Sequence, residues 1–175
     1  MLRVLQRGRV LGPGTSAYED LKAIGPLHIG RLGCYNVNPS DGNRLGVVEP
    51  SGAGAQCIGV IYRNELDVAN PRLVQTAAPT DAVPPGTWSL IEAEHVADQE
   101  GVGLMIGPAL LETDQVSTAS GEPGPGDLLT FQAASADNYG KLIKLSQGSG
   151  QRCGICIGYA NGVLRYQLTL TGGIA

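Results

Sequence analysis

The sequence predicts an all-β fold, a glycine-rich β-barrel or β-sandwich with at most one or two short helices. Three observations predict it. Gly and Pro are abundant, 26 and 11 of 175 residues, against one Trp and one Phe, a composition that suits short strands separated by turns. Apolar residues come in short runs bounded by turn residues. A segment also recurs 96 positions further along the chain, as expected of a β unit used twice.

Residues 1–15 read as an extended N-terminal arm. They carry Arg3, Arg7 and Arg9 among Leu and Val and end in Gly12-Pro13-Gly14. The glycines discourage a helix. The arm is expected to order on assembly with a partner, its guanidinium groups pairing with carboxylates; a first strand folded back on its own domain is the alternative. Residues 16–76 read as a first β module. Tyr18 to Ile24 has the marks of one helical turn, with Ser16 as cap and Glu19 three residues on. Leu45 to Val48, Cys57 to Tyr62 and Leu73 to Thr76 read as strands, separated by Pro39-Ser40-Asp41-Gly42 and Ser51-Gly52-Ala53-Gly54.

Residues 77–125 read as a Pro/Gly-rich linker and acidic insert. Trp88 to Gln99 suits either a capped helix from Ser89 and Glu92 or a strand from Thr87 to Val96, and the β context favours the strand. Gly101 to Leu111 reads as one glycine-interrupted strand. Residues 126–175 read as a second β module. Its strands are Asp127 to Ala133, Lys141 to Leu145, Gly154 to Tyr159 and Val163 to Leu170, with a turn at Asn161-Gly162.

The repeat aligns residues 30–57 with 126–153 without a gap. Gly30 meets Gly126, Leu32 Leu128, Tyr35 Phe131, Val47 Ile143, Gly54 Gly150 and Cys57 Cys153. Beyond it, one inserted residue lets Ile61-Tyr62 meet Gly158-Tyr159. Two related β modules on a shared core follow. Chance similarity of two glycine-rich segments is the alternative.

The net charge of −4 argues against nucleic-acid binding. Residues 73–140 hold ten acids and no Lys or Arg, and residues 141–175 hold four bases and no acid. Such blocks favour contacts between oppositely charged faces; a scattered solvated surface is the alternative. There is no apolar run long enough to span a membrane. The N-terminus lacks the apolar core of a signal peptide, so Cys34, Cys57, Cys153 and Cys156 are expected to be reduced.

Cys153-Gly-Ile-Cys156 is the sharpest chemical motif. A redox pair needs a helix N-terminus, and zinc needs four ligands. Here the pair lies in a predicted strand, whose period of two places the thiols on opposite faces. Both are read as structural. His28 and His95 lie near no nucleophile motif, and a Ser-His-Asp triad is not indicated. Glu92, Glu94, Asp98 and Glu100 read as a solvated acidic face without EF-hand spacing. No catalytic, cofactor or metal residue is assigned, and Arg3, Arg7 and Arg9 are the interaction residues.

Pro125-Gly-Asp-Leu-Leu-Thr, Gly140-Lys-Leu-Ile-Lys-Leu, Cys153-Gly-Ile-Cys-Ile-Gly-Tyr and the closing strand Leu164 to Leu170 resemble the head decoration, or cement, proteins of tailed bacteriophages. The resemblance covers the last 50 residues or so and, more weakly, residues 30–62. It implies a β-barrel or β-tulip module, made in the host cytoplasm, that sits on the outside of an icosahedral head. There it would bind the major capsid protein, self-associate as a dimer or trimer, and stabilise the shell. It implies no catalytic residue. Another virion part, such as a tail or baseplate β-domain, is the nearest alternative. A small enzyme using Cys153/Cys156 or His95 is a further one.

Overall fold

The computed structural model describes residues 2–6, 9–11, 21–36, 46–52, 54–62, 73–75, 88–90, 95–96, 101–134, 136–146 and 150–170; of 3, 9–11, 73–75, 88–90, 95–96 and 136 it describes the backbone alone. The fold is all-β. Among the described residues there is no α-helix, only a 3-10 turn at Ala136–Asn138.

Two six-stranded sheets carry the chain, each curled like half a barrel. In chain order, β1 is Leu2–Gln6, β2 Arg9–Leu11, β3 Lys22–Ala23, β4 Leu27–His28, β5 Leu32–Asn36, β6 Gly46–Val48 and β7 Cys57–Tyr62. Then come β8 Leu73–Gln75, β9 Trp88–Leu90, β10 His95–Val96, β11 Gly103–Ile106 and β12 Ala109–Thr113. The last four are β13 Leu128–Phe131, β14 Leu142–Lys144, β15 Gly154–Ala160 and β16 Val163–Leu168. One sheet runs β3-β6-β5-β7-β11-β2 and the other β14-β13-β15-β16-β12-β1. The pairs β4–β10 and β8–β9 form two small ribbons.

The segments matched by the repeat are the same strands in the same order. β6-β5-β7-β11-β2 and β14-β13-β15-β16-β12 are both antiparallel throughout. A parallel partner flanks each, Ala23 beside Val47 and Val116 beside Leu142. Each module also turns into its first inner strand through a left-handed glycine, Gly30 at φ 91° and Gly126 at φ 88°. Only glycine takes that conformation without steric cost. Gly30 N–H donates to Ile61 O and Ile61 N–H to Arg31 O, while Gly126 N–H donates to Cys156 O and Cys156 N–H to Asp127 O.

The register corrects the alignment at two places. Tyr35 faces Val47 where Phe131 faces Leu142, so Val47 matches Leu142 and not Ile143. Along β7, Ile58 is an extra residue in a bulge, because Gly33 faces Gly59 but Cys34 faces Cys57. Ile61 therefore matches Cys156: the second module has one residue fewer there, not one more.

The faces of the two sheets are used differently. The inner face of module 1 carries Val47, Ile58, Ile61, Leu104 and Ile106, buried with Leu21, Ala23, Leu27 and Val102. Its outer face carries Leu32, Val60 and Met105, and these pack into the inner face of module 2, against Leu129, Leu142, Leu164, Tyr166 and Leu168. The modules thus stack head to tail. With both faces covered, β7 reads as a continuous apolar run, whereas β16 alternates buried and exposed.

Several expectations change. The first residues are strands of the chain's own sheets. β1 pairs with β12 and β2 with β11, and Leu2 and Val4 pack on the core, so covering them needs no partner. Residues 21–24 are not helical: Lys22–Ala23 is a strand, because a single turn gains less than pairing with β6; residues 16–20 lie outside the described residues. The run 101–111 is two strands in different sheets, parted at Gly107-Pro108. Both modules therefore draw a strand from the stretch read as linker and insert. β8 is a strand but pairs with β9 in a separate ribbon. Trp88–Leu90 and His95–Val96 are both extended.

Candidate functional site

The seam between the modules is polar at one end and thiol-lined in the middle. Arg31 follows the left-handed turn at Gly30 and is only 4% exposed. Its Nη1 donates to Glu49 Oε2 at 2.9 Å and to Tyr139 O at 3.2 Å, Nη2 donates to Asp137 O at 2.9 Å, and Nε donates to Gln115 Oε1 at 3.0 Å. Gln115, Asp137 and Tyr139 belong to module 2. One buried guanidinium thus uses its fixed fork to hold two modules together. Glu49 is held in turn by His28, whose N–H donates to Oε1 and whose Nδ1 lies 2.7 Å from the same oxygen.

By register Arg31 matches Asp127 and Glu49 matches Lys144. The matching ion pair is therefore inverted in sign: Lys144 Nζ lies 2.8 Å from Asp127 Oδ2. The Lys144 ammonium, and then the Gly124 N–H, hold the Asp127 carboxyl below its ordinary value.

Further along the seam, Gln151 of module 2 clamps the first residue of β7. Cys57 N–H donates to Gln151 Oε1, and Gln151 Nε2 donates to Cys57 O, both at 2.6 Å. Cys153 Sγ donates to Gln151 O at 3.4 Å. Cys57 and Cys153 are both buried in the inter-sheet core, and their thiols are in hydrogen-bonding contact. That contact, and then burial, push the Cys57 thiol up. Burial pushes Cys34 up to about 11 and raises Cys156 as well. Such thiols are protonated and poor nucleophiles at neutral pH. The Tyr166 phenol, wholly buried and raised by that burial, has no hydrogen-bond partner among the described residues.

Cys153 and Cys156 do not face opposite ways: both lie in the same core cluster. Cys153 precedes β15, so the period of two does not yet govern it. Among the described residues, no three His, Cys, Asp or Glu side chains are grouped to hold a metal ion. His28 stands opposite His95 in the β4–β10 ribbon, a juxtaposition that no motif signalled. The side chain of His95, and Glu92, Glu94, Asp98 and Glu100, lie outside what is described.

Each module also bears a groove at the matching place. That of module 1, about 350 Å³, is lined by Cys34, Tyr35, Val48, Glu49 and Gly54 among others. That of module 2, about 330 Å³, is lined by Thr130, Phe131, Lys144, Leu145 and Gly150 among others. The first presents a carboxylate already held by Arg31, the second an ammonium already held by Asp127.

The outer face of module 2 is the open counterpart of the packed outer face of module 1. The row Leu110–Gln167–Ile155–Leu128 crosses it. It matches the buried row Met105–Val60–Leu32 of module 1, yet all four residues are at least partly exposed. The exposed large apolar residues among those described, Leu5 at 37% and Ile157 at 45%, belong to the same sheet. Ile157 lines a shallow groove of about 250 Å³ with Gln6, Pro108, Leu110 and Gln167. Beside the row, Arg165 Nε donates to Glu112 Oε1 at 2.8 Å.

Of the three arginines proposed for interaction, Arg3 stands opposite Glu112, which stands opposite Arg165. Arg9 stands opposite Ile106. Arg7 lies outside the described residues. No protein-family model and no curated protein matches the chain.

Proposed function

We propose that the chain is a structural protein that decorates the outside of a phage head, binding the major capsid protein and stabilising the shell. The observation that carries the proposal is the uncovered outer face of module 2. Its counterpart in module 1 is a docking face for a β module, and it keeps Leu110, Leu128, Ile155 and Ile157 at the surface. Apolar side chains grouped in this way mark interaction surfaces. The stretches that resemble cement proteins correspond to β13, β14, β15 and β16, the strands of this same sheet.

The test is cosedimentation with empty heads of the virus that encodes the chain. The wild type is expected to pellet with the heads and to raise their melting temperature. Ile157→Glu is expected to lose binding while the free protein melts as before. Failure of the wild type to bind heads overturns the proposal. Binding to isolated tails in place of heads moves it to the tail or baseplate reading.

A further inference from the structure

We propose that Cys57 and Cys153 are a latent inter-module disulfide, closed by thiol–disulfide exchange with a small-molecule disulfide. The geometry carries this. The two residues occupy matching positions of the repeat, and both are buried at the one seam where the sheets stack. Their thiols touch, and the Gln151 amide fixes the Cys57 backbone from the Cys153 side of the seam. Cys34 stands opposite Cys57 within one sheet, but its Sγ is turned to Val48 O at 3.5 Å. Cys156 lies in the same cluster but two positions further along β15 than Gly154, opposite Tyr166.

In the exchange, one Cys thiolate attacks a sulfur of the small disulfide, forming a mixed disulfide and expelling one small thiolate. The second Cys thiolate then attacks the protein-side sulfur of that mixed disulfide, forming Cys57–Cys153 and expelling the second small thiolate. The two cysteines lose two electrons, the small disulfide gains them, and the protons of the thiols pass to the departing thiolates. Because both thiols are buried out of reach of a small disulfide in the folded chain, the bond closes during folding or on transient opening and is slow in the native state. Once closed, it ties a loop on the order of 100 residues, and a longer loop restricts the unfolded chain more than a short one.

The test is refolding of the full-length chain in a mixture of reduced and oxidised glutathione. Two of the four thiols are expected to vanish from the titration, and the intact mass to fall by about 2 Da, the two hydrogens lost. A digest without reductant should yield one linked peptide bearing Cys57 and Cys153, and the melting temperature should rise by roughly 5–15 °C. The Cys34→Ala/Cys156→Ala double variant should behave the same way, and Cys57→Ala should form no internal link. Four free thiols after refolding, glutathione adducts alone, or a link between any other pair overturns the proposal. A Cys57–Cys153 bond with no gain in melting temperature removes its role as a lock.

Discussion

In module 1 the row Leu32, Val60 and Met105 lies beneath a second sheet; in module 2 the matching row Leu128, Ile155 and Gln167 lies open. The strand order is the same in both. What differs is the connection and the cover. In module 2, β15 and β16 join through Asn161 and Gly162, both at positive φ, the tight turn that matches strand twist. In module 1 the corresponding strands, β7 and β11, are separated by residues 63–102, which include the strands β8, β9 and β10. One copy thus has both faces buried, and the other leaves one face open. Met105 against Gln167 marks the division: the same position is apolar where it is covered and polar where it is wet.

The inverted ion pairs give the sharpest way to break this comparison. Arg31→Ala strips a buried fork from Glu49 and from two carbonyls of module 2, and should cost about 3–5 kcal/mol in urea unfolding. Lys144→Ala removes the matching pair, which is open to solvent, and should leave the unfolding midpoint almost unchanged. Equal losses would mean that the seam does not hold the modules together. The row supplies the next contrast. Met105→Ala should cost about 2–5 kcal/mol through the cavity it leaves, whereas Gln167→Ala should change stability by less than about 0.5 kcal/mol.

The glycines of the matched strands should instead behave alike. A Cβ at Gly59 would lie 2.6 Å from Met105 O, and one at Gly154 would lie 2.7 Å from Gln167 O, the same backbone approach in each module. Gly59→Ala and Gly154→Ala should each lose about 1–3 kcal/mol by thermal unfolding, and a silent substitution at either would break the equivalence. The smallest effect is electrostatic. The carboxyl of Asp127 is held low when folded, so its contribution is present above the unfolded value near 3.9 and is lost as pH falls through the folded value. In an NMR titration the Asp127 midpoint should lie below the ordinary range and return toward it in Lys144→Ala.

Much of the strand pattern was legible because local chemistry and tertiary demand agree. Cys57 to Tyr62 is a continuous apolar run because both faces of β7 are covered. The repeat was legible at Gly30 and Gly126 because a left-handed turn constrains the residue type. Its register through β6 and β14 was not, because one loop is a residue longer and neither loop has a pattern to anchor it. Residues 101–111 read as one strand because Gly107-Pro108 lies between two apolar halves bound for different sheets. Arg31 was not legible: a lone Arg between Gly30 and Leu32 gives only a weak signal, and apart from Glu49 the groups that satisfy it lie more than 80 positions away. The open face of module 2 was beyond the sequence, since it is defined only by which sheet stacks on which.

The pairing of β1 with β12 has a consequence for how the chain is made. Leu2 to Val4 find their partners at Leu111 to Thr113. A growing chain must therefore be extended by more than a hundred residues past β1 before that strand has an edge to join. Such distant pairing slows folding, because loop closure must precede the contacts that reward it. Until then Leu2 and Val4 remain uncovered on the nascent chain, which makes residues made long before their partners among the last to be protected.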